Sequence, residues 1–505
     1  MLRHDAETLR FRRQFAVGEA ELPGFASWPR TSFGKNLCLA AHPDLESAHA
    51  SRGDCSVLAI GVVVDTECPE ATAGQIAERL VTRLEGGLAL DEFSGTLDQL
   101  AGRWVVIATR GSNARVIHDA AGTRQVFFIT PEAGVDGKWC ASSPDLLAHA
   151  FALSVGSAAN EWMASAGFAR QREPWCPGDR TPYEGVRLLL PNHALDWASH
   201  QAIRYGPTEP IQKLELDEAV ATSVRLLRAV MEGAVARQSL ALSLTAGFDS
   251  RVSLSAAIGM RPVLPFSFVH EAIGSRHPDL VVPPRLAARF GASHLAFTCP
   301  RRASSAFAGA YGASNPLGNP TWAAVAQGLY ENLPDDVLRV TSTVSEIGRA
   351  YYRTDSDVTT AQLDGQKLAA LTRLGDHPWV QEAFDDWLRS VPPNSTLHPL
   401  DLFYWEQRLG SWAGTLFREW DIALEGFSPF NCRALMQTFL GVDERHRIGP
   451  SYSFHTELIR ALWPEALREP INPPAPGRWL KRLRKRSQRL RKWIGSRTVR
   501  RVAPK

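Results

Sequence analysis

Past residue 215 the chain keeps returning to one pattern: a short apolar run, a break of small residues, then a helical run. The clearest instance is "LALSLTAGFDSR" (240–251). Leu240, Ala241, Leu242, Ser243 and Leu244 read as a buried strand that stops at Thr245, Ala246 and Gly247. A helical pattern then begins at Val252, Leu254, Ala256 and Ala257. "PVLPFSFVH" (262–270), "HLAFT" (294–298) and "VLRVTST" (337–343) read as further strands. Helices are expected at 216–237 and at 278–291, the latter holding its prolines near one end. Strands that alternate with helices require a parallel, doubly wound α/β sheet. From there to about residue 475 the pattern is mainly helical.

The first 210 residues follow a different rhythm. "SVLAIGVVVD" (56–65), "GRWVVIATR" (102–110), "ARVIHD" (114–119) and "TRQVFFIT" (123–130) are short apolar or alternating runs punctuated by Asp, Gly and Asn, as strands joined by turns require. Helical candidates lie at 72–87 and 143–153, so the expected architecture is an α+β sandwich of sheets with flanking helices. "GPTEPIQKLE" (206–215), with two prolines and no apolar period, reads as the linker. A chain of 505 residues exceeds one comfortable core, in keeping with two domains.

The formal net charge of +3 conceals an asymmetry, because residues 478–501 carry twelve Lys or Arg and no acid. The remainder is therefore acidic overall, and the tail is a separate feature. Trp479, Leu480, Leu483, Leu490 and Trp493 recur there at spacings compatible with a basic amphipathic helix. Such a helix suits anionic lipid, nucleic acid or an acidic partner, or is a solvated appendage. No run approaches the roughly 18–20 apolar residues of a membrane span. The N-terminus lacks an apolar signal region, and seven scattered cysteines without metal-type pairing suit a reducing cytoplasm.

The break "TAGFDS" sits where a parallel sheet places ligands, at the carboxyl end of a strand. Small residues let backbone N–H groups approach a phosphate, and the following helix adds its positive end. Thr245 and Ser250 offer hydroxyls, and Asp249 offers a carboxylate for Mg²⁺. The Lys-Ser/Thr pair of the common P-loop is missing. A plain strand-to-helix turn has the same local pattern, and the residues alone leave both readings open.

"LTAGFDS" resembles the Ser-Gly-Gly-x-Asp-Ser pyrophosphate loop of the asparagine synthetase superfamily, with Thr245 and Ala246 replacing Ser and Gly while Gly247, Asp249 and Ser250 match. Ala246 is tolerable there only if its φ is negative. Segment 102–129 resembles the N-terminal glutaminase-like domain, Asp119 and Gly122 matching and His118 standing in for an Arg. "CASSPDLL" (140–147), "TPYEGVRLLLPNHALDW" (181–197), "DLFYWEQRLGSW" (401–412) and "SPFNCR" (428–433) resemble later landmarks, in the family's order. The resemblance implies a glutaminase-like domain of class II amidotransferase (Ntn) type over 1–208. An ATP-pyrophosphatase-like synthetase domain would cover 209–475, and the basic tail 476–505.

Three departures bear on chemistry. Glutamine-using members carry a nucleophilic cysteine directly after the initiator methionine, where this chain has Leu2 and no cysteine before Cys38. The second ATP motif would fall in "TSTVSEIGRAYYR" (341–353), where Glu346 remains and Ser345 occupies the usual Asp position. Arg349 and Arg353 could supply charge to phosphate oxygens in place of metal, or form salt bridges on a solvated helix. A late lysine is also absent. Arg468 is the only cation in that stretch, leaving Arg349, Arg408 or Arg433 as electrostatic helpers.

The resemblance thus implies an ATP-dependent amide-forming ligase that adenylates a small-molecule or peptide carboxylate, releases pyrophosphate and lets an amine displace AMP, without glutamine hydrolysis. Leu244, Thr245, Ala246, Gly247, Asp249 and Ser250 would form the nucleotide loop, with Phe268 and Val269, beside Ser267, as candidates for the adenine pocket. Asp249 and Glu346 would bind Mg²⁺, and Glu346 and Arg349 would act in catalysis. His270 and Glu271 share that sheet edge, and Asp279 is explained by an N-cap. The aromatics of "FYWEQRLGSW" read chiefly as packing. The alternatives are a non-catalytic binding or scaffold relative, and ammonia-dependent amidation of a sugar acid or small metabolite. Sequence-specific nucleic-acid binding is not expected.

Overall fold

The computed structural model describes residues 4–171, 173–270, 273–353, 360–392 and 397–474. Leu2, Glu271 and the basic tail lie outside the described residues. The first half supplies twelve strands. They are β1 (Phe15–Gly18), β2 (Arg30–Phe33), β3 (Leu37–Ala41), β4 (Ser47–Arg52), β5 (Cys55–Asp65) and β6 (Leu100–Arg110). β7 (Asn113–His118), β8 (Phe127–Ile129), β9 (Trp139–Ala141), β10 (Val186–Leu188), β11 (His193–Asp196) and β12 (Gln201–Arg204) follow. They form two antiparallel sheets in the orders β10-β8-β9-β1-β3-β2 and β12-β11-β7-β6-β5-β4.

The near-continuous apolar run in β5 has a direct cause, because that strand is buried on both faces. Leu58 and Ile60 enter the core between the sheets with Phe15, Val17, Val105 and Ile107. Val57, Ala59 and Val63 face the opposite way, against Ile76, Leu80 and Leu84 of the helix Ala73–Glu85. That helix starts on a capping box in which Thr72 and Gln75 exchange hydrogen bonds.

After the helix Leu216–Arg237 the chain builds β13 (Ser239–Ser243), β14 (Val263–Val269), β15 (Leu295–Thr298), β16 (Val337–Val340) and β17 (Gly426–Phe427), all parallel, in the order β15-β14-β13-β16-β17. β13 buries both faces, Leu240 and Leu242 in one core and Ala241 in the other. The winding moves outward through β14 and β15, then returns to the other side of β13 at β16. The crevice at the carboxyl ends of β13 and β16 is thus the topological switch point. "TAGFDS" follows β13 and "TSTVSEIG" follows β16.

One expectation is corrected. Pro283 and Pro284 lie inside the helix Pro278–Phe290, not near one end, and leave two carbonyls of its first turns without helical donors. The "YWEQRLGSWA" segment is a π-helix, Tyr404–Ala413, a form that recurs at functional positions. Among the described residues no helix is long and apolar enough to cross a membrane.

Buried charges join the two halves. The Arg103 guanidinium grips both carboxylate oxygens of Asp421, with Glu425 at 3.2 Å, and Arg124 bonds Glu425 at 2.6 Å. Burial opposes the charge on Arg103, but Asp421 and Glu425 outweigh it and hold its pKa above the ordinary value. Beside them Asn431 donates to Asp119, Gly102 and Thr123, and accepts from Ala121 N–H. Replacing one member strands its partners, so Arg103→Met is expected to lower the unfolding free energy by about 3–5 kcal/mol. Arg52→Ala, in an exposed pair with Glu78, should change it by less than about 1 kcal/mol. Urea unfolding followed by tryptophan fluorescence measures both.

Candidate functional site

The turn after β13 is held by its own side chains. Thr245 N–H donates to Ser250 Oγ at 3.0 Å, the two hydroxyls lie 2.9 Å apart, and Gly247 N–H donates to Thr245 Oγ1 at 3.2 Å. Ala246 is 1% exposed and is not among the residues with positive φ, so an alanine there carries no backbone strain. Its N–H donates to Asp279 Oδ1 at 2.8 Å. The N-cap of the helix Pro278–Phe290 is His277, not Asp279. The carboxylate therefore serves the loop.

The helix Asp249–Ala256 begins here with Phe248 as its N-cap and no side-chain capping bond. Its first-turn N–H groups have no carbonyl to reach within the helix. Thr245 is exposed and Gly247 and Asp249 are half-buried, so the loop is open to a ligand at the positive end of the helix. Ser253 Oγ lies 2.7 Å from Ser342 Oγ, tying the helix to the loop after β16.

Arg251 fastens the loop from behind. It is 0% exposed and donates to the carbonyls of Ala466, Glu469 and Pro470, and burial lowers its pKa to about 10. Asn472 N–H then closes on Ala246 C=O at 2.9 Å. A segment more than 200 residues downstream is thereby strapped to the back of the loop. Leu244 is likewise structural: its side chain is 1% exposed, and its carbonyl accepts from Ser267 Oγ at 2.6 Å.

The 3₁₀ turn Thr343–Gly348 after β16 brings the second group of candidates together. Ser345 Oγ donates to Asp249 Oδ1 at 2.6 Å, and Arg349 Nη2 donates to Asp249 Oδ2. Glu346 accepts from Tyr404 OH at 3.1 Å. Burial, reinforced by the nearby Asp249 carboxylate, pushes Glu346 above the usual carboxylate range. His455 is 0% exposed, with Nε2 at 3.8 Å from Asp249 Oδ1. Burial pushes its pKa down to about 4, so it is neutral near pH 7.

The expected pairing of Asp249 with Glu346 around Mg²⁺ does not fit this arrangement. Both Asp249 oxygens already have donors, one of them a guanidinium, and Glu346 is directed to Tyr404 OH in a buried setting that raises its pKa. Among the described residues no group of three or more His, Cys, Asp or Glu could hold a metal ion. Arg353 is a salt-bridge residue, paired with Asp401 and Glu444. Arg433 sits at the junction of the halves, donating to Asn192 and Tyr205. Arg408 lies over Trp412, and its field also acts on Glu346.

Phe268 stacks with Phe266 and Phe297 and, with His270, lines a separate cleft of about 710 Å³ together with Trp322, Trp412 and Trp420. None of Thr245–Ser250 lines it. Val269 is half-buried and pairs with Thr298 on β15. Sequence reasoning missed Tyr404, His455 and the bond from Asp279 to Ala246. Tyr404 sat inside a stretch read mainly as packing, and no local pattern links His455 to a loop 200 residues earlier.

No family model matches the chain, and no curated protein does. Similar solved structures include an allosteric regulatory enzyme of purine biosynthesis, at 11% identity and TM-score 0.22 over 60% of this chain and 77% of that one. Glutamine phosphoribosylpyrophosphate amidotransferase from B. subtilis, complexed with ADP and GMP, matches at 10% identity and TM-score 0.22 over 63% and 90%. Glutamine-dependent NAD⁺ synthetase from Acinetobacter baumannii, in complex with ADP, matches at 16% identity and TM-score 0.20 over 50% and 55%. Likenesses this loose transfer no chemistry, and the functional reading rests on the chain's own residues.

If Arg251 anchors the strap, Arg251→Leu leaves three carbonyls without their donor and costs about 2–4 kcal/mol. Hydrogen exchange in residues 464–474 and in the loop should rise together. Faster exchange in the helix Asp249–Ala256 alone would contradict the anchoring role.

Proposed function

We propose that the chain is an ATP-dependent carbon–nitrogen ligase that activates a carboxylate by adenylation and works without glutamine hydrolysis. The observation that carries this reading is the small-residue loop at the switch point, opening onto an uncapped helix N-terminus. Thr245, Ala246, Gly247 and Ser250 would cradle the β- and γ-phosphates. A substrate carboxylate oxygen would attack the α-phosphorus while the bond from that phosphorus to the α–β bridging oxygen breaks, giving acyl-adenylate and pyrophosphate. The amine nitrogen would then attack the acyl carbon and AMP would leave with its oxygen. Glu346, whose pKa is raised by burial, suits the role of accepting the amine's proton. Arg349 would supply positive charge where phosphate charge develops. Cys38, the first cysteine of the sequence, lies within β3, so its thiol is not paired with a free α-amino group as glutamine hydrolysis of that kind would need. The tail at 476–505 would serve a separate contact with a partner protein or an anionic surface.

A second reading, a nucleotide-binding relative without turnover, draws on one specific observation. The Asp279 carboxylate already occupies Ala246 N–H and places negative charge beside the loop.

ATP–pyrophosphate exchange across a panel of amino, sugar and peptide acids separates the two. Carboxylate-dependent exchange is expected. It should fall about 100-fold in Gly247→Val, because a Cβ there meets Thr245 Oγ1 at 3.3 Å and Asn472 Oδ1 at 3.5 Å. ATP binding without exchange on any acid would favour the second reading. Amide formation with the amine present, followed as AMP release, should rise with pH through the raised pKa of Glu346, and Glu346→Gln should flatten that rise.

A further inference from the structure

A divalent cation beside polyphosphate needs several oxygen ligands, commonly including a carboxylate free to bind it. Asp249 lacks that freedom, with Ser345 on one oxygen and Arg349 on the other. The guanidinium, by contrast, has capacity to spare. It carries five N–H donors. Asp249 engages only Nη2, and the buried Nε has no hydrogen-bond partner. The group is fixed over the Tyr452 ring at 4.9 Å, with 17% of the side chain exposed. Behind the pair, the wholly buried His455 makes no well-formed hydrogen bond through either ring nitrogen. It adds no positive charge at neutral pH. Arg349 is then the cation in direct contact with Asp249, and the pair is neutral before any phosphate arrives.

We infer that Arg349 does the work of a divalent cation at this site: it bridges Asp249 and an oxygen of bound polyphosphate, so nucleotide binding by this chain does not require Mg²⁺. A planar guanidinium can hold a carboxylate on one edge and a phosphate on the other, which a single-point ammonium cannot. Asp249 becomes a positioning residue that aims Arg349. The inference rests on the nucleotide reading above and specifies how that site balances charge.

The full chain is titrated calorimetrically with α,β-methylene-ATP, first in EDTA and then in Mg²⁺. The two dissociation constants are expected to agree within about threefold, and Arg349→Ala should weaken both by about tenfold or more. Arg349→Lys should recover part of that loss. Asp249→Asn removes the carboxylate but keeps the guanidinium, and it should bind in EDTA at least as tightly as the unsubstituted protein. Binding that requires Mg²⁺, or that disappears in Asp249→Asn, overturns the inference and leaves the nucleotide reading standing. Absence of binding under both conditions overturns both. Should Arg349→Ala fail to fold, the EDTA titration and Asp249→Asn still decide.

Discussion

The arrangement depends first on the buried charges between the two halves. Arg103 and Arg124 come from the antiparallel sandwich, and Asp421 and Glu425 from the segment leading into β17. Unpaired, any of them would be intolerable in so dry a place, and paired they hold only in one geometry. That requirement fixes how the sandwich meets the segment around Tyr404–Trp420. Tyr404 in turn holds Glu346, so the crevice acidity is set partly by contacts far from the loop after β13.

A second constraint acts on the loop itself. Thr245, Gly247 and Ser250 bond to one another, Asp279 holds Ala246 N–H, and the 464–472 segment is fastened behind by Arg251. The loop is therefore rigid before a ligand arrives, which lowers the ordering cost of binding. Asp249 and Arg349 cancel each other's charge at its mouth. A phosphate arriving there meets the first-turn N–H groups of the helix Asp249–Ala256, with the Asp279 carboxylate on Ala246 N–H as negative charge beside the loop.

Much of the fold was legible because its strands and helices have strong periods. The apolar runs at 56–65 and 102–110 are strands β5 and β6, and 216–237 is the helix found, since each buries a continuous face. Short or half-exposed strands such as β2 and β12 carry no such signal. At the site, the turn 245–248 between β13 and the following helix was identifiable from small side chains after a strand. Its partners were not, because Asp279, Tyr404 and His455 come from elements brought close only by tertiary packing. The carboxylate pair expected around Mg²⁺ does not fit for a related reason. Asp249 and Glu346 look like a carboxylate pair in sequence, but the chain sets Arg349 and Ser345 against the first and buries the second against Tyr404.

The reading stands or falls on where a nucleotide's phosphates lie. A crystal structure of the full chain with bound α,β-methylene-ATP measures that directly. The account predicts β- and γ-phosphate oxygens against Thr245–Ser250, with the Arg349 guanidinium touching one of them while still holding Asp249. Nucleotide seated elsewhere, such as in the aromatic cleft of Trp322, Trp412 and Trp420, with the loop unchanged, would contradict it.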